Sequence, residues 1–292
     1  MLKLDFIYVI YKNIDFIKMS IHELVSHLSN DLEEINIFII DNSYNHSSII
    51  EIKKFLEFID KYESSNLHFK YFPSDYNLGF SKACNKAAKF CKSDNIIFLN
   101  CDTRFNNTNT EKLVNSILLC SEKSPIVGIK IFDQNNLYCH SCFNFKPINI
   151  LMKPLNHLDG LIKLIFKKIN YLNKIYYLSE EQINSKKVFK VDWISGCFMI
   201  INNKFFKEIG GFDERYFMYF EDIDICRRAR ELGRDVLYDS NASIIHYGQH
   251  ESRKYRNIFK SILFNKTSRY HIGSWIKYII KWRKDFLIYI FK

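Results

Sequence analysis

Glycine and proline are scarce, nine and four in 292 residues, so no Gly- or Pro-rich linker divides the chain. No Gly-x-Gly-x-x-Gly follows the first predicted strand and no Gly-Lys-Ser/Thr phosphate loop occurs, which argues against a dinucleotide fold and a P-loop enzyme. No apolar run approaches the ~20 residues that span a bilayer. The start, MLKLDFIYVIYKN, lacks the basic head, long apolar run and cleavage site of a signal peptide. Eight cysteines are scattered, with one close pair, Cys139-His140-Ser141-Cys142, and no second pair to complete a zinc knuckle. They read as reduced, mostly buried thiols of a cytoplasmic protein. Acidic residues are the minority charge: 42 Lys+Arg face 32 Asp+Glu, a formal +10 that implies an anionic partner. Nucleic acid, anionic lipid and nucleotide-sugar all qualify, but the basic residues are dispersed and carry no nucleic-acid motif, so no nucleic-acid partner is expected.

What is present is a core. Hydrophobic residues make up 47 %, with 26 Phe and 18 Tyr, enough for one large domain or two fused lobes. Leu4–Tyr11, Ile35–Ile40, Phe69–Phe72 and Asn95–Leu99 read as short buried strands. Between them, Ile14–Leu28, Ser47–Tyr62 and Asn77–Cys91 read as helices. Strands alternating with helices predict a parallel sheet with crossover helices, and ligands on such sheets gather at the carboxyl ends of the strands. Polar clusters stand at three of those ends: Tyr11–Asn13, Asp41–Ser43 and Asn100–Asp102. Farther on, Ile126–Phe132 and Leu137–Phe145 suggest a hairpin, and Asp235–Tyr238 and Ala242–Ile245 two strands leading to His246.

Chemistry concentrates in Val191–Ser252. Glu221-Asp222-Ile223-Asp224 places three carboxylates in four residues, between the aromatics Tyr216, Phe217, Tyr219 and Phe220 and a helical segment ended by Gly233. Acids suit a helix start, where unpaired N–H groups and the dipole favour them. An apolar wall beside them also raises one carboxyl toward the range of a general base. Ile225, Cys226, Ala229 and Leu232 form the predicted buried stripe of that helix.

The stretch resembles glycosyltransferase family 2, and within it the rhamnosyltransferase-like group. The resemblance rests on Trp193-Ile194-Ser195-Gly196-Cys197, Gly210-Gly211-Phe212-Asp213-Glu214, Glu221 to Arg228, and His246, with Cys197 where Ala is usual. It implies a GT-A-type α/β fold with a mixed, mainly parallel sheet flanked by helices. Residues 1–105 would form the nucleotide-sugar half and 106–252 the acceptor and catalytic half, with 253–292 a basic aromatic tail. Without a glycine-rich cradle the diphosphate needs another counter-charge, and a divalent metal held by carboxylates supplies one. Asp102 ends a strand and is the candidate ligand. In Asn100-Cys101-Asp102 an Asn occupies the first place of the family's Asp-x-Asp, and the resemblance adds His246 as second ligand to Mn²⁺ or Mg²⁺.

It further implies that Asp41 contacts the donor base or ribose, that Tyr11, Asn77, Gly79, Asn100 and Arg228 line the donor site, and that Trp193 and Asp224 face the acceptor. Asp222 is the expected base, with Glu221 the close alternative, and Asp224 also stands where it could orient Arg228. The implied reaction is an inverting transfer of L-rhamnose from dTDP-L-rhamnose to a surface polysaccharide or lipid-linked glycan. A UDP-sugar donor, galactofuranose or hexose, and a nucleotidyltransferase remain alternatives. Leu151–Leu178 and the tail, with Trp275, Tyr278, Trp282 and Tyr289 among many Lys and Arg, suit either a peripheral contact with the inner face of the cytoplasmic membrane or packing against the protein.

Overall fold

The predicted buried strands assemble side by side. In the computed structural model, which describes residues 2–12, 14–28, 32–43, 49–105, 108–145, 178, 180–248 and 265–284, the chain begins with β1 (Lys3–Ile10), α1 (Ile14–Leu28), β2 (Glu34–Asp41), α2 (Ile49–Asp60), β3 (Leu67–Pro73), α3 (Phe80–Ala88) and β4 (Asn95–Asn100). It continues through β5 (Thr103–Arg104), α4 (Thr110–Leu118), β6 (Ile126–Phe132), β7 (Tyr138–Cys139), β8 (Cys142–Phe143), α5 (Glu180–Asn184), β9 (Val188–Val191), β10 (Trp193–Ile194) and β11 (Phe198–Asn202). Then come α6 (Asn203–Glu208), α7 (Glu221–Glu231), β12 (Val236–His246) and α8 (Lys266–Lys281).

The main sheet runs β3-β2-β1-β4-β11-β6-β12-β5, with β7 beside β6 and β9 beside β12; β8 and β10 form a separate pair. The first four strands are parallel, β11 is antiparallel to both neighbours, and β12 is again parallel to β6. Strand order reverses at β1, whose carboxyl end lies beside that of β4 with Val9 opposite Asn100. That is where a crevice opens in an α/β sheet.

Alternation along β1 divides the core. Leu4, Phe6, Tyr8 and Ile10 pack with Ile17, Ile21, Leu24 and Leu28 of α1 on one face. Ile7 turns to the other face and joins Ala83, Cys84 and Ala87 of α3, Ile223 and Cys226 of α7 and Tyr278 of α8. Side chains alternate between two faces along a strand buried on both, and with near-four spacing in the helices this places the sheet between two helical layers. Buried Asp5 secures the lower end, accepting from the backbone N–H groups of Lys92 (2.6 Å) and Ser93 (2.8 Å) and the Asn36 amide (3.0 Å).

Four local expectations change. The helix expected from Asn77 begins at Phe80, because Asn77 Oδ1 accepts from Gly79 N–H (2.9 Å) and Phe80 N–H donates to the Phe217 carbonyl (2.7 Å). The Leu137–Phe145 strand is split: β7 completes the hairpin with β6, and β8 leaves to pair with β10. The two strands expected near 240 are one, β12, whose register shifts between Asp239 and Ser243. Leu232 is exposed, since α7 ends at Glu231, and Ile223 takes its place in the buried stripe. All eight cysteines are free, and six of them are buried. The amphipathic reading of 151–178 lies outside the described residues except for Leu178.

Gly79 has φ +79°, and a Cβ there would stand 2.4 Å from the Phe217 carbonyl oxygen, whereas Gly210, at φ +76°, has open space around it. Both Ala substitutions incur backbone strain of about 1–3 kcal/mol, but only Gly79→Ala adds a collision with backbone. In urea unfolding Gly79→Ala should therefore cost clearly more than Gly210→Ala; equal losses would mean that the 217–220 segment is free to move away.

Candidate active site

The β5–β12 ladder sets Thr103 opposite His246, and Tyr247 N–H donates to the Asp102 carbonyl (3.0 Å). These contacts bring two residues 144 positions apart together: His246 Nε2 lies 3.1 Å from Asp102 Oδ1. Asn100 Nδ2 is also 3.1 Å from His246 Nε2. On the other side of the ring, Cys197 Sγ is 4.0 Å from His246 Nδ1. Burial works against the charged form of Asp102, but the hydrogen bond and charge of His246 outweigh it and hold the carboxyl below its usual value. Burial would lower His246, yet Cys197 and Asp102 together push the imidazole well above its ordinary value.

The pair fits a divalent cation. Ligand atoms about 2.1 Å from an octahedral ion stand about 3 Å apart, which is the Asp102–His246 spacing. Among the described residues no group of three or more His, Cys, Asp or Glu side chains suits a metal. Two protein ligands would leave the remaining positions to phosphate oxygens and water, as is usual for magnesium-type sites.

The acidic turn lies beside this pair. Asn100 N–H donates to the Cys197 carbonyl (3.0 Å), and Gly196 N–H donates to Asp222 Oδ2 (3.0 Å), so the 195–197 turn joins the two groups. Asp222 Oδ1 accepts from Ile223 N–H (2.8 Å), and the side chain is half-buried. Glu221, next to it, is only 6 % exposed. It faces inward: the Cys84 thiol is raised first by burial and then by the Glu221 charge. Of the two acids, Asp222 is the more exposed.

Several other expected site residues have different surroundings. Trp193, expected at the acceptor, is 3 % exposed and stacks on Phe143 with centroids 3.9 Å apart. Asp224, also expected there, is fully buried, so it supports α7 from within. Arg228, expected at the donor, is committed to Asp224 (2.8 Å) and to the carbonyls of Ile209 (3.0 Å) and Gly211 (2.7 Å). Asp41 is 1 % exposed and accepts from Ser43 N–H (2.8 Å), Ser43 Oγ (2.7 Å) and Tyr71 OH (2.5 Å). Gly79 admits the protein's own Phe217 carbonyl rather than a ligand. Tyr11, at the open end of β1, is 40 % exposed. Asn42, not singled out from the sequence, links the β2 end to the next segment through Leu78 N–H (3.3 Å) and the Gly79 carbonyl (3.3 Å). Its place in the Asp41–Ser43 polar cluster was the available signal.

The profile described as Glycosyl transferase family 2 matches residues 5–210. The chain belongs to that family. The matched span of this family 2 member stops short of Glu221. Rhamnosyltransferase WbbL of Escherichia coli (strain K12) is 36% identical over 106 residues, 36% of each chain. An N-acetylglucosaminyl-diphospho-decaprenol L-rhamnosyltransferase of Mycobacterium tuberculosis (strain ATCC 25618 / H37Rv) is 39% identical over 62 residues, 21% of this chain and 20% of the relative. The alignments thus span about a third and a fifth of these curated relatives. Among solved structures, GalNAc-T7 with UDP, GalNAc and Mn²⁺ superposes with a TM-score of 0.59 at 12% identity, over 84% of this chain and 44% of that one. The mannosyltransferase PcManGT from Pyrobaculum calidifontis, in complex with GDP-Man and Mn²⁺, gives 0.56 at 12% identity, over 86% and 58%. These likenesses establish the GT-A-type fold.

Beyond the span matched to family 2, α8 packs against the acidic turn. Lys281 Nζ lies 2.8 Å from Asp213 Oδ2, and Arg215 Nη2 is 2.6 Å from the same oxygen. Burial alone would raise Asp213, but the hydrogen bonds from Arg215 and Lys281 outweigh it and hold the carboxyl well below the usual carboxylate range. A depressed folded-state pKa stabilises the fold above the unfolded value of about 3.9 and is lost as pH falls through the folded one. Wild type should therefore be more stable than Asp213→Asn in urea at pH 6, with the gap closing as pH is lowered below about 4. A gap independent of pH would show that the ion pairs contribute nothing.

Proposed function

We propose that this glycosyltransferase moves L-rhamnose from dTDP-L-rhamnose to a hydroxyl of a surface polysaccharide or lipid-linked glycan, with inversion at the anomeric carbon. The observation that carries this reading is the half-buried Asp222 carboxylate, joined through the 195–197 turn to the Asp102–His246 pair. The rhamnosyltransferase names of the curated relatives favour the donor, and one of those names specifies a diphospho-decaprenol compound.

Asp222 accepts the proton of the acceptor hydroxyl as its oxygen forms a bond to the anomeric carbon. The bond from that carbon to the diphosphate oxygen breaks, and the nucleoside diphosphate leaves with the electron pair. Backbone N–H groups of Gly196 and Ile223 hold the Asp222 carboxylate in place for this step. Asp102 and His246 would hold Mn²⁺ or Mg²⁺, which when bound offsets the charge of the departing diphosphate. No described helix is long and apolar enough to cross a membrane. Contact with the inner membrane face would fall to the outer side of α8, where Ile276 and Ile280 are exposed beside Lys277. A UDP-sugar donor is the second reading, since GalNAc-T7, which shares the fold, was crystallised with UDP.

Thermal unfolding with dTDP, dTDP-L-rhamnose, UDP and UDP-sugars, with and without Mn²⁺, tests the proposal. A metal-dependent rise with the dTDP ligands is expected, because a ligand that binds only the folded state stabilises it by mass action. A rise with UDP species alone would overturn rhamnose as the transferred sugar. Asp102→Ala should abolish the Mn²⁺-dependent part of the shift. Asp222→Asn should lower turnover roughly 10²–10⁴-fold while donor binding persists; wild-type turnover in both Asp222→Asn and Glu221→Gln would sink the base assignment.

A further inference from the structure

Two consecutive non-glycine residues immediately before the acidic helix, Tyr219 and Phe220, hold left-handed backbone with φ 70° and 71°. Side chains rarely adopt that region, and such a turn persists only when its surroundings fix it. Here the surroundings come largely from α8. Tyr270 stacks on Phe217 with centroids 4.1 Å apart, and His271 meets both Tyr219 (5.0 Å) and Phe220 (5.4 Å) edge-on. Ser274 Oγ donates to the Met218 carbonyl (2.8 Å), and Lys277 Nζ to that of Arg215 (2.7 Å).

The strongest attachment is at the end of the helix. Asp224, in the first turn of α7, is fully buried. Lys281 Nζ lies 2.7 Å from its Oδ1 and 2.8 Å from its Oδ2. Trp282 Nε1–H donates to Oδ1 (3.0 Å), Tyr216 OH to Oδ1 (3.3 Å), and Arg228 Nε–H to Oδ2 (2.8 Å). Two of these four donor groups come from Lys281 and Trp282, and Asp222 is two residues from the carboxylate they hold.

We propose that Lys281 and Trp282 are positioning residues of the transfer site: through Asp224 they fix the first turn of α7 and so aim the Asp222 carboxylate at the acceptor hydroxyl. The role of Asp222 rests on the function proposed above; the fixing of the turn does not. A small misplacement of a catalytic group is enough to lower the rate by one to two powers of ten. Donor binding, which belongs to the β1 and β4 strand ends, should not change.

The test uses the full chain in three variants. Trp282→Phe keeps an aromatic ring, though a smaller one, and removes the N–H; Lys281→Met keeps length and removes the charge; Lys281→Arg retains a cation. Hydrogen–deuterium exchange should accelerate in peptides spanning 216–226 in the first two variants and stay at wild-type rates in peptides from β1 and β4. With dTDP-L-rhamnose as donor and a membrane extract as acceptor source, kcat should fall about 10- to 100-fold with the donor KM within about twofold, and Lys281→Arg should recover most of the rate. Unchanged exchange in 216–226 would overturn the proposal, as would a uniform rise across the chain, since either outcome denies a specific hold on the turn. Faster exchange there with undiminished turnover would overturn the catalytic part. If wild type turns over no nucleotide-sugar, the rhamnosyl-transfer reading fails, and the exchange measurement still decides whether α8 fixes the turn.

Discussion

A carboxylate shut away from water must find its counter-charges inside the protein, and Asp224 finds them on two separate helices. Arg228 reaches it from one turn along its own helix, and Lys281 from the far end of the chain. Removing either cation would leave buried charge under-compensated, so the arrangement joins parts that sequence keeps far apart. Arg228 extends it by donating to the carbonyls of Ile209 and Gly211, and Lys281 by also meeting Asp213. The Gly-Gly-Phe-Asp segment, the aromatic turn and the acidic helix are thereby organised around one buried anion.

The opposite side of the crevice follows another logic. Asp102 and His246 meet because β5 and β12 pair in register and Asp102 lies in the turn that leads into β5. Backbone hydrogen bonding sets their spacing. Side-chain packing sets the place of Asp222, through the turn at Gly196, where a Cβ would come within 3.3 Å of the Asp222 Cβ. A rigid sheet edge faces a helix whose position depends on charge pairing.

Much of this was legible in sequence. The four parallel strands announced themselves as β-branched and aromatic runs, and three of them ended where a polar cluster began. The carboxylates of Glu221–Asp224 do begin a helix. Less legible was what each polar residue faces. Asp41, Asp224 and Arg228 are chemically suited to bind ligands, yet each is engaged by protein partners; the Asp224–Arg228 pair was legible from its i,i+4 spacing, whereas the contacts of Asp41 with Tyr71 and of Arg228 with the Gly211 carbonyl were not. Gly79 is similar: the resemblance placed it at the donor site, and the fold shows the Phe217 carbonyl against it. Lys281 and Trp282 gave no local signal, since their contacts with Asp224 span 57 and 58 positions.

Those separations also set an order of assembly on the ribosome. The parallel strands and α3 form from the first hundred residues and can associate while the rest is still being made, as domains commonly do during synthesis. The turn at 219–220 cannot be locked until residues 270–282 have left the exit tunnel, because its ring contacts and its buried counter-charge come from there. A nascent chain halted before that point would already present Asp102 in the turn after β4 while its acidic turn was still unfixed. Fixing of the acidic turn therefore comes later, as the chain is made, than assembly of the parallel strands.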